Sequence, residues 1–103
     1  MPEFKREYAK IENYLWHKLE LLEERGQLGM DIGGEIKFNG KAGTYPKALV
    51  KEFPSLKLGN VKEMRVNDRV DFETTASDIF KIVDKDYILS VKWDRKIRDY
   101  DTN

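Results

Sequence analysis

The chain has 103 residues, of which 40% are hydrophobic and 37% charged, and its 19 basic and 19 acidic residues give a formal net charge of zero. This length predicts one domain over residues 1–103 with a single modest core, and the balanced charge means that any basic surface for a polyanion would have to be local. Cysteine is absent, which excludes disulfides, thiolate catalysis and the common zinc sites built on cysteine.

The first predicted element is a long amphipathic helix over residues 3–25. Its apolar side chains recur at spacings of three and four residues, which places them on one face. They are Phe4, Tyr8, Ile11, Leu15, Leu19 and Leu22. Gly26 would end the helix, and the apolar face would pack across one face of a sheet.

Residues 29–44 are predicted to form a β-hairpin. The apolar residues that alternate along its first strand are Met30, Ile32, Ile36 and Phe38. Asn39-Gly40 favours a tight type I′ turn, because both central residues of that turn need positive φ. Gly33 and Gly34 lie inside the first strand, where they indicate a bulge or the close approach of another backbone.

The pair Gly40-Lys41 invites comparison with a nucleotide phosphate-binding loop. That loop has four residues between its first glycine and its Gly-Lys pair, and a Ser or Thr follows the lysine. Here five residues separate Gly34 from Gly40, and Ala42 follows the lysine. A tight turn is therefore the favoured interpretation, and we predict no cofactor.

A second, short helix is predicted over residues 45–53. Pro46 suits its first turn, because the N–H that proline lacks would have no intrahelical partner there. Pro54 ends it, since the residue before a proline avoids helical backbone angles.

The remaining residues predict a β-meander over 56–94. Apolar and polar residues alternate between turns rich in Asn, Asp and Gly, and residues 61–66 and 79–83 are interpreted as two of the strands. A charged tail, 95–103, follows. The expected fold class is α+β, with the long N-terminal helix packed on an antiparallel sheet and the short helix beside it.

Neither catalysis nor metal binding is favoured by the residues present. His17 is the only histidine, and its position off the apolar stripe is typical of an exposed side chain. The acidic residues at 68–73 and 84–86 have the spacing of turn aspartates rather than of a calcium loop. We therefore predict that the protein is not an enzyme and holds no metal.

A nucleic-acid-binding segment is the alternative function. Cations interleaved with aromatic rings can follow a phosphate backbone and stack bases. The candidate residues are Lys92, Arg95, Lys96, Arg98 and Tyr100. Trp93 lies among them, but it shares strand parity with Leu89 and Val91, which predicts a buried ring.

Trp16 most strongly favours a binding surface. It lies about 110° from the centre of the apolar stripe, at about 100° per helical residue, and its helical neighbours are Glu12, Glu20 and Glu23. Tryptophan is enriched among residues that dominate protein interfaces, and an acidic surround would complement a basic partner. The competing interpretation places Trp16 at the edge of the core, covered by a loop.

These features together predict a small cytoplasmic protein-binding module, with another protein or a second copy docking through the first helix. Its general character is that of phage and mobile-element inhibitors or accessory proteins, which would act by occluding a larger enzyme. No apolar segment is long enough to span a bilayer, and the N-terminus lacks the apolar core of a signal peptide. We therefore expect no membrane partner.

Overall fold

The computed structural model of the chain describes residues 4–94. The α-helices of this part are α1 (Asn13–Glu24), α2 (Tyr45–Glu52) and α3 (Ala76–Ile82), and a 3₁₀ helix (Arg6–Lys10) precedes α1. The strands are β1 (Asp31–Phe38), β2 (Lys57–Leu58), β3 (Arg69–Thr75) and β4 (Ile88–Trp93). The fold is α+β with an antiparallel sheet, as the sequence predicts, but its first α-helix is half the expected length.

The strands form one sheet in the order β2-β3-β1-β4, and every neighbouring pair is antiparallel. Because β1 and β2 both run antiparallel to β3 between them, they are parallel to each other, and α2 connects them. The chain order βαββαβ with this strand order is the split βαβ connectivity of ferredoxin-like sheets. Such a topology supports many unrelated activities, so it says nothing by itself about function.

The helices and the hydrophobic core lie on one face of the sheet. Ile36 is at the centre of that face, opposite Val70 on β3 and Val91 on β4, and all three are fully buried. The other face is charged: the Glu35 carboxylate lies 3.5 Å from Arg69 and 3.6 Å from Lys62. This division is typical of an antiparallel sheet with one solvated face.

The prediction of one continuous helix over 3–25 is wrong, because the chain leaves the helical conformation at Ile11 and Glu12. Both residues have extended backbone angles. Ile11 bridges to Val91, and the Glu12 N–H donates to the Val91 carbonyl at 3.0 Å. The free edge of β4 therefore pairs with the chain for two residues, and α1 starts anew at Asn13.

The apolar stripe did not reveal this break, because its members keep their helical spacing across it. Five of the six stripe residues are buried: Tyr8, Ile11, Leu15, Leu19 and Leu22. Phe4 is the exception, with 67% of its surface exposed. The stripe therefore identified the core correctly while giving the wrong helix boundary.

The Lys10 side chain fixes the 3₁₀ helix against the rest of the fold. Its Nζ donates to the carbonyl oxygens of Val83 at 2.9 Å and Lys85 at 3.0 Å, just beyond the end of α3. Carbonyls at a helix C-terminus lack intrahelical partners and attract cations. This attachment places Tyr8 against the helical layer.

The predicted hairpin over 29–44 is wrong beyond its first strand. Positive φ in the described chain is confined to glycines, and Asn39 therefore does not adopt a type I′ turn. Gly40, with φ of 100°, instead pairs with the chain before β3: its carbonyl accepts from the Asp68 N–H at 2.9 Å. Because β3 and β4 occupy both edges of β1, a returning strand after Phe38 has no edge to join.

The predicted β-meander over 56–94 is also wrong, because the helix α3 lies between β3 and β4. The apolar residues at 79–83 belong to α3 and the turn after it, and their burial at positions 79, 80, 82 and 83 follows helical spacing. A short apolar run fits either a buried strand or a buried helix, which explains the error. Residues 61–66 are an exposed loop whose one β-bridge joins Lys62 to Arg69.

The residues of β4 that face the core are not all those that strict alternation predicts. Ile88 and Val91 are buried, whereas Leu89 is 40% exposed. The register between β1 and β4 shifts between Lys37 and Phe38, and this irregularity brings Ile88 to the core side. Period-two alternation cannot indicate such a shift, since it assumes a regular pleat.

The close approach that the sequence indicates at the paired glycines is confirmed for Gly34. A Cβ atom at this position would lie 1.9 Å from the Lys92 carbonyl oxygen on β4. The main chain of β4 therefore occupies the space of a side chain, and only glycine fits at this point of the central strand.

Candidate functional site

Four aromatic side chains from different elements meet beside α1. The Tyr8 ring centroid lies 5.9 Å from that of Trp16 and 5.3 Å from that of Phe80 on α3. Phe4 adds edge contacts to Trp16 at 5.8 Å and to Tyr8 at 6.2 Å. These separations are in the range where edge-to-face aromatic pairs are favourable. We call Phe4, Tyr8, Trp16 and Phe80 the aromatic cluster.

The burial of the side chains in the aromatic cluster decreases from the core towards the solvent. Tyr8 and Phe80 are buried, Trp16 is partly buried and packs against the core, and Phe4 is the most exposed member. The chain before α1 covers one side of Trp16 through Phe4 and Tyr8. Its edge-of-core position agrees with the competing interpretation, and a contact with a partner remains a prediction.

The three carboxylates predicted around Trp16 have different local roles. Glu12 caps α1, since its Oε1 accepts from the Leu15 N–H at 3.2 Å. This contact satisfies one of the N–H groups that a helix start leaves unpaired. Glu20 lies 3.2 Å from His17 Nδ1 on the exposed face, and Glu23 is half-buried with contacts of its own. All three belong to α1 or its cap, so they share one element with Trp16.

The basic segment proposed for nucleic acid is described only at its start. Lys92 is exposed, and Trp93 is half-buried against the core with the Lys18 Nζ 5.7 Å from its ring centroid. The remaining candidates, Arg95, Lys96, Arg98 and Tyr100, lie outside the described residues. Trp93 is therefore committed to intramolecular packing, and nucleic-acid binding by this segment remains a prediction.

A pocket of about 280 Å³ opens between the end of α1 and the start of β1. Two cations and two carboxylates contribute to its wall, Lys18 and Arg25 against Asp31 and Glu73, and Trp93 and Leu22 provide apolar surface. Because both charges occur in its wall, the pocket favours neither anionic nor cationic ligands. Sequence reasoning missed it, since its walls come from segments far apart in the chain.

Asp68 is the buried member of the acidic residues at 68–73. It is 3% exposed, and its carboxylate accepts backbone N–H groups from Ala42 and Met64, both at 2.9 Å. The Lys41 ammonium lies 3.4 Å away and also donates to the Met64 carbonyl. These backbone hydrogen bonds, assisted by Lys41, lower the pKa of the Asp68 carboxyl below its ordinary value. Asp68 therefore ties the 61–66 loop to the chain that leads into α2.

The acidic groups considered for a metal are dispersed. Asp71 lies 3.3 Å from Lys62, whereas Asp68 accepts from the backbone. Within residues 4–94, no group of three or more His, Cys, Asp or Glu side chains is placed to hold a metal ion.

Among the helices of the same part of the chain, none combines the length and the apolar character that crossing a bilayer requires. Comparisons with protein-family models, with curated proteins and with solved structures found no match to this chain.

Proposed function

We propose that this protein is a protein-binding module that contacts its partner through the Phe4–Trp16 side of the aromatic cluster. The observation that supports the proposal is an exposed aromatic ring held in place from behind: Phe4 is 67% exposed, yet it rests edge-on against both Trp16 and Tyr8. The partner would be a protein surface with an apolar pocket and a basic rim.

The aromatic anchor provides the affinity in this proposal. Large aromatic side chains that insert into a partner's pocket dominate many interfaces. Binding is weakened by the entropy lost when a mobile side chain is immobilised, and less is lost when the ring is already held. Tyr8 and Trp16 hold Phe4 in this way, since both rings are themselves packed on the core.

The carboxylates of α1 provide orientation and the rate of association. Glu20 is near the surface beside His17, and Glu23 lies one turn of helix further on. Opposite charges on the two partners speed their encounter and disfavour wrong partners, and salt weakens this effect. Glu12 contributes negative charge as well, although its main task is to cap the helix.

The mode of action proposed is occlusion of a surface on a larger protein. This is how phage and mobile-element inhibitors of the kind expected from the sequence would act, and that narrower assignment stays a prediction. Self-association through α1 is the second form of the same proposal. A dimer built this way would bring two acidic helices together, which like-charge repulsion disfavours, so we favour a different protein as the partner.

Replacing Phe4 by alanine tests the proposal. We expect the free energy of unfolding to change by less than about 1 kcal/mol, because most of the ring is exposed. Binding to the partner should weaken by about 2 kcal/mol or more, the level that marks an interface anchor. The measurement is an affinity capture from host lysate with the tagged chain, followed by titration of the captured protein against wild type and variant.

Val66→Ala is the matched control, since Val66 is 66% exposed and lies on the 61–66 loop, away from the aromatic cluster. It should bind as the wild type does. A captured partner that both variants retain equally would overturn the assignment of this surface. If capture succeeds only before nuclease treatment, the nucleic-acid alternative replaces the proposal.

Trp16→Ala has a different expected result from Phe4→Ala. Trp16 packs against Tyr8 and Phe80 as well as Phe4, so its truncation should lower the free energy of unfolding by about 2 kcal/mol. Thermal melting measures this loss. A variant as stable as the wild type would mean that the packing around Trp16 contributes little, and that Phe4 is not held by it.

A further inference from the structure

A second surface lies at the opposite edge of the sheet from α1. There α2 packs beside the edge strand β2 and leaves a shallow groove of about 380 Å³. Its floor is made by Pro46, Val50 and Leu58, and its rim by Lys47 and Lys51. We call these five residues the α2–β2 groove. The aromatic cluster is on the other side of the molecule, because the 3₁₀ helix and α1 contact β4.

The floor of the α2–β2 groove is apolar surface left open to solvent. Val50 is 44% exposed although it lies in the middle of α2, whereas Leu49 beside it is fully buried. Leu58 is half-buried and continues the core outward to the groove. An apolar side chain placed here would contact Val50 and Leu58 together and remove both from water.

The rim of the groove carries positive charge without compensation. Lys47 and Lys51 on α2 are both exposed, and neither makes an ion pair with a residue in 4–94. The one acidic side chain of α2, Glu52, is held by the Lys85 Nζ at 2.6 Å. The same contact raises the pKa of the Lys85 ammonium. The local potential therefore favours a negatively charged ligand.

The outer edge of β2 has backbone groups suited to another strand. The Gly59 N–H donates to the Asp71 carbonyl at 2.9 Å, so the backbone at Gly59 faces β3. In a strand, successive residues direct their N–H and C=O groups to opposite sides, and those of Leu58 therefore face away from β3. An edge of this kind accepts an added strand.

We propose that the α2–β2 groove binds an acidic peptide segment of another protein in extended form. The segment adds to the outer edge of β2, an apolar side chain enters between Val50 and Leu58, and carboxylates on the same face of the segment pair with Lys47 and Lys51. Because only every second side chain of a strand shares a face, the apolar residue and the acidic residues of the segment lie two positions apart, so that they face α2 together. The inference extends the proposed protein-binding function to a second surface, and it does not require the aromatic cluster.

The features of the groove favour a peptide over a nucleic acid. Bases bind single-strand sites by stacking on free aromatic faces. Within the described part of the chain, no aromatic side chain lines the groove, and Tyr45 beside it has one face stacked on Tyr87 with the rings 3.9 Å apart and 1° from parallel. Aliphatic side chains form the floor, and these suit an apolar side chain of a peptide.

Fluorescence anisotropy with labelled eight-residue peptides tests the proposal. The probe has glutamate, leucine and glutamate at alternate positions with threonine between them, and the comparison peptide has lysine in place of every glutamate. The acidic probe should bind and the basic one should not. Double charge reversal in the rim, Lys47→Glu with Lys51→Glu, should weaken binding of the probe by about tenfold or more at low salt.

Lys81→Glu with Lys92→Glu is the matched control, because it makes the same change in net charge at two exposed lysines on α3 and β4. It should leave the affinity within about threefold of wild type, since separated surface charges are screened. Equal losses in the two double variants would overturn the groove as the site. The absence of binding by the acidic probe at millimolar concentration would do the same.

Backbone methylation of the probe tests strand addition. N-methyl groups on alternate residues block one edge of an extended peptide, and only one of the two alternate sets should abolish binding. Equal tolerance of both sets would overturn the extended mode. A single-stranded oligonucleotide that binds more tightly than the probe, or a concentration-dependent mass that the rim variant abolishes, would replace the peptide by nucleic acid or by a second copy.

Phe4→Ala separates this inference from the proposed function. The variant should bind the acidic probe as the wild type does, because Phe4 lies at the other edge of the sheet. Loss of probe binding in the rim variant with retention of the captured partner would support the groove as an independent surface. Unchanged probe binding in the rim variant, together with loss of the captured partner in Phe4→Ala, would leave the aromatic cluster as the protein's binding site and overturn the groove.

Discussion

Replacing Gly34 by alanine should destabilise the fold by about 3 kcal/mol or more and lower the Tm by on the order of 15 °C. The added Cβ would lie 1.9 Å from the Lys92 carbonyl oxygen, 2.9 Å from its carbonyl carbon and 3.1 Å from the Trp93 Cα. All three are main-chain atoms, so no change of side-chain rotamer relieves the overlap. The variant can fold only if β4 moves away from the central strand, which disrupts the pairing of the sheet.

Two other glycines serve as controls for the loss of glycine itself. A Cβ at Gly29 meets nothing within 4 Å, and one at Gly59 lies 3.7 Å from the Asp71 Cβ, an ordinary contact. Neither has the positive φ that disfavours other residues. Both alanine variants should melt within a few degrees of wild type, about the range of neutral surface changes. If Gly34→Ala melts with them, β4 does not pass as close to β1 as the structure describes.

The sequence predicted the core better than it predicted the elements. The stripe from Tyr8 to Leu22 is buried because side-chain spacing records which residues face inward. The local sequence does not indicate the break at Ile11 and Glu12. The break depends on pairing with the edge of β4, which lies about 80 residues further along the chain. Local pattern therefore identified buried residues, and a long-range backbone contact decided where the helix starts.

The same limit explains the hairpin and the meander. Asn39-Gly40 carries a strong local turn preference, but β3 and β4 already occupy both edges of β1. The run 79–83 is apolar enough for a strand, and it forms α3 because the connection from β3 to β4 must cross β1. In both cases the order of strands in the sheet overrode local propensity. That order cannot be predicted from a short stretch of sequence.

The candidate surfaces were predictable in part. The position of Trp16 off the stripe pointed to the side of α1 on which the aromatic cluster lies, and helical spacing placed Glu20 and Glu23 beside it. The role of Phe4 as the exposed ring was not predictable, because its spacing assigned it to the core. The α2–β2 groove was missed since it depends on a strand of only two residues, Lys57–Leu58, that pairs with β3.

Replacing Asp68 by asparagine should lower the Tm by on the order of 10 °C, although the two side chains have the same shape. Each carboxylate oxygen accepts a backbone N–H, Oδ2 from Ala42 and Oδ1 from Met64. An asparagine amide has only one oxygen, so its NH₂ group must face one of the two N–H donors. One of the two donors is then left without its acceptor, and the favourable charge opposite Lys41 is also lost.

Asp86→Asn is the control for removing a carboxylate, since Asp86 is exposed in the turn before β4. Its Tm should stay within about 2 °C of the wild-type value. Equal melting of the two variants would mean that the contacts at Asp68 do not hold the 61–66 loop in solution. Hydrogen exchange at the Ala42 and Met64 amides gives a direct test, because at least one of them should exchange faster in Asp68→Asn and neither should change in Asp86→Asn.

The contribution of Asp68 should depend on pH in a definite direction. Its pKa is lowered in the folded protein by the N–H groups of Ala42 and Met64 and by Lys41, whereas in the unfolded chain it returns to about 3.9. A carboxyl with a lowered folded pKa stabilises the fold fully above its unfolded pKa, and this stabilisation is lost as the pH falls through the folded pKa. The Tm difference between wild type and Asp68→Asn should therefore be largest at neutral pH and shrink below about pH 4. Melting curves at pH 7, 5, 4 and 3 would reveal this convergence, and a difference that stays constant to pH 3 would assign the stabilisation to shape rather than to the ionised carboxylate.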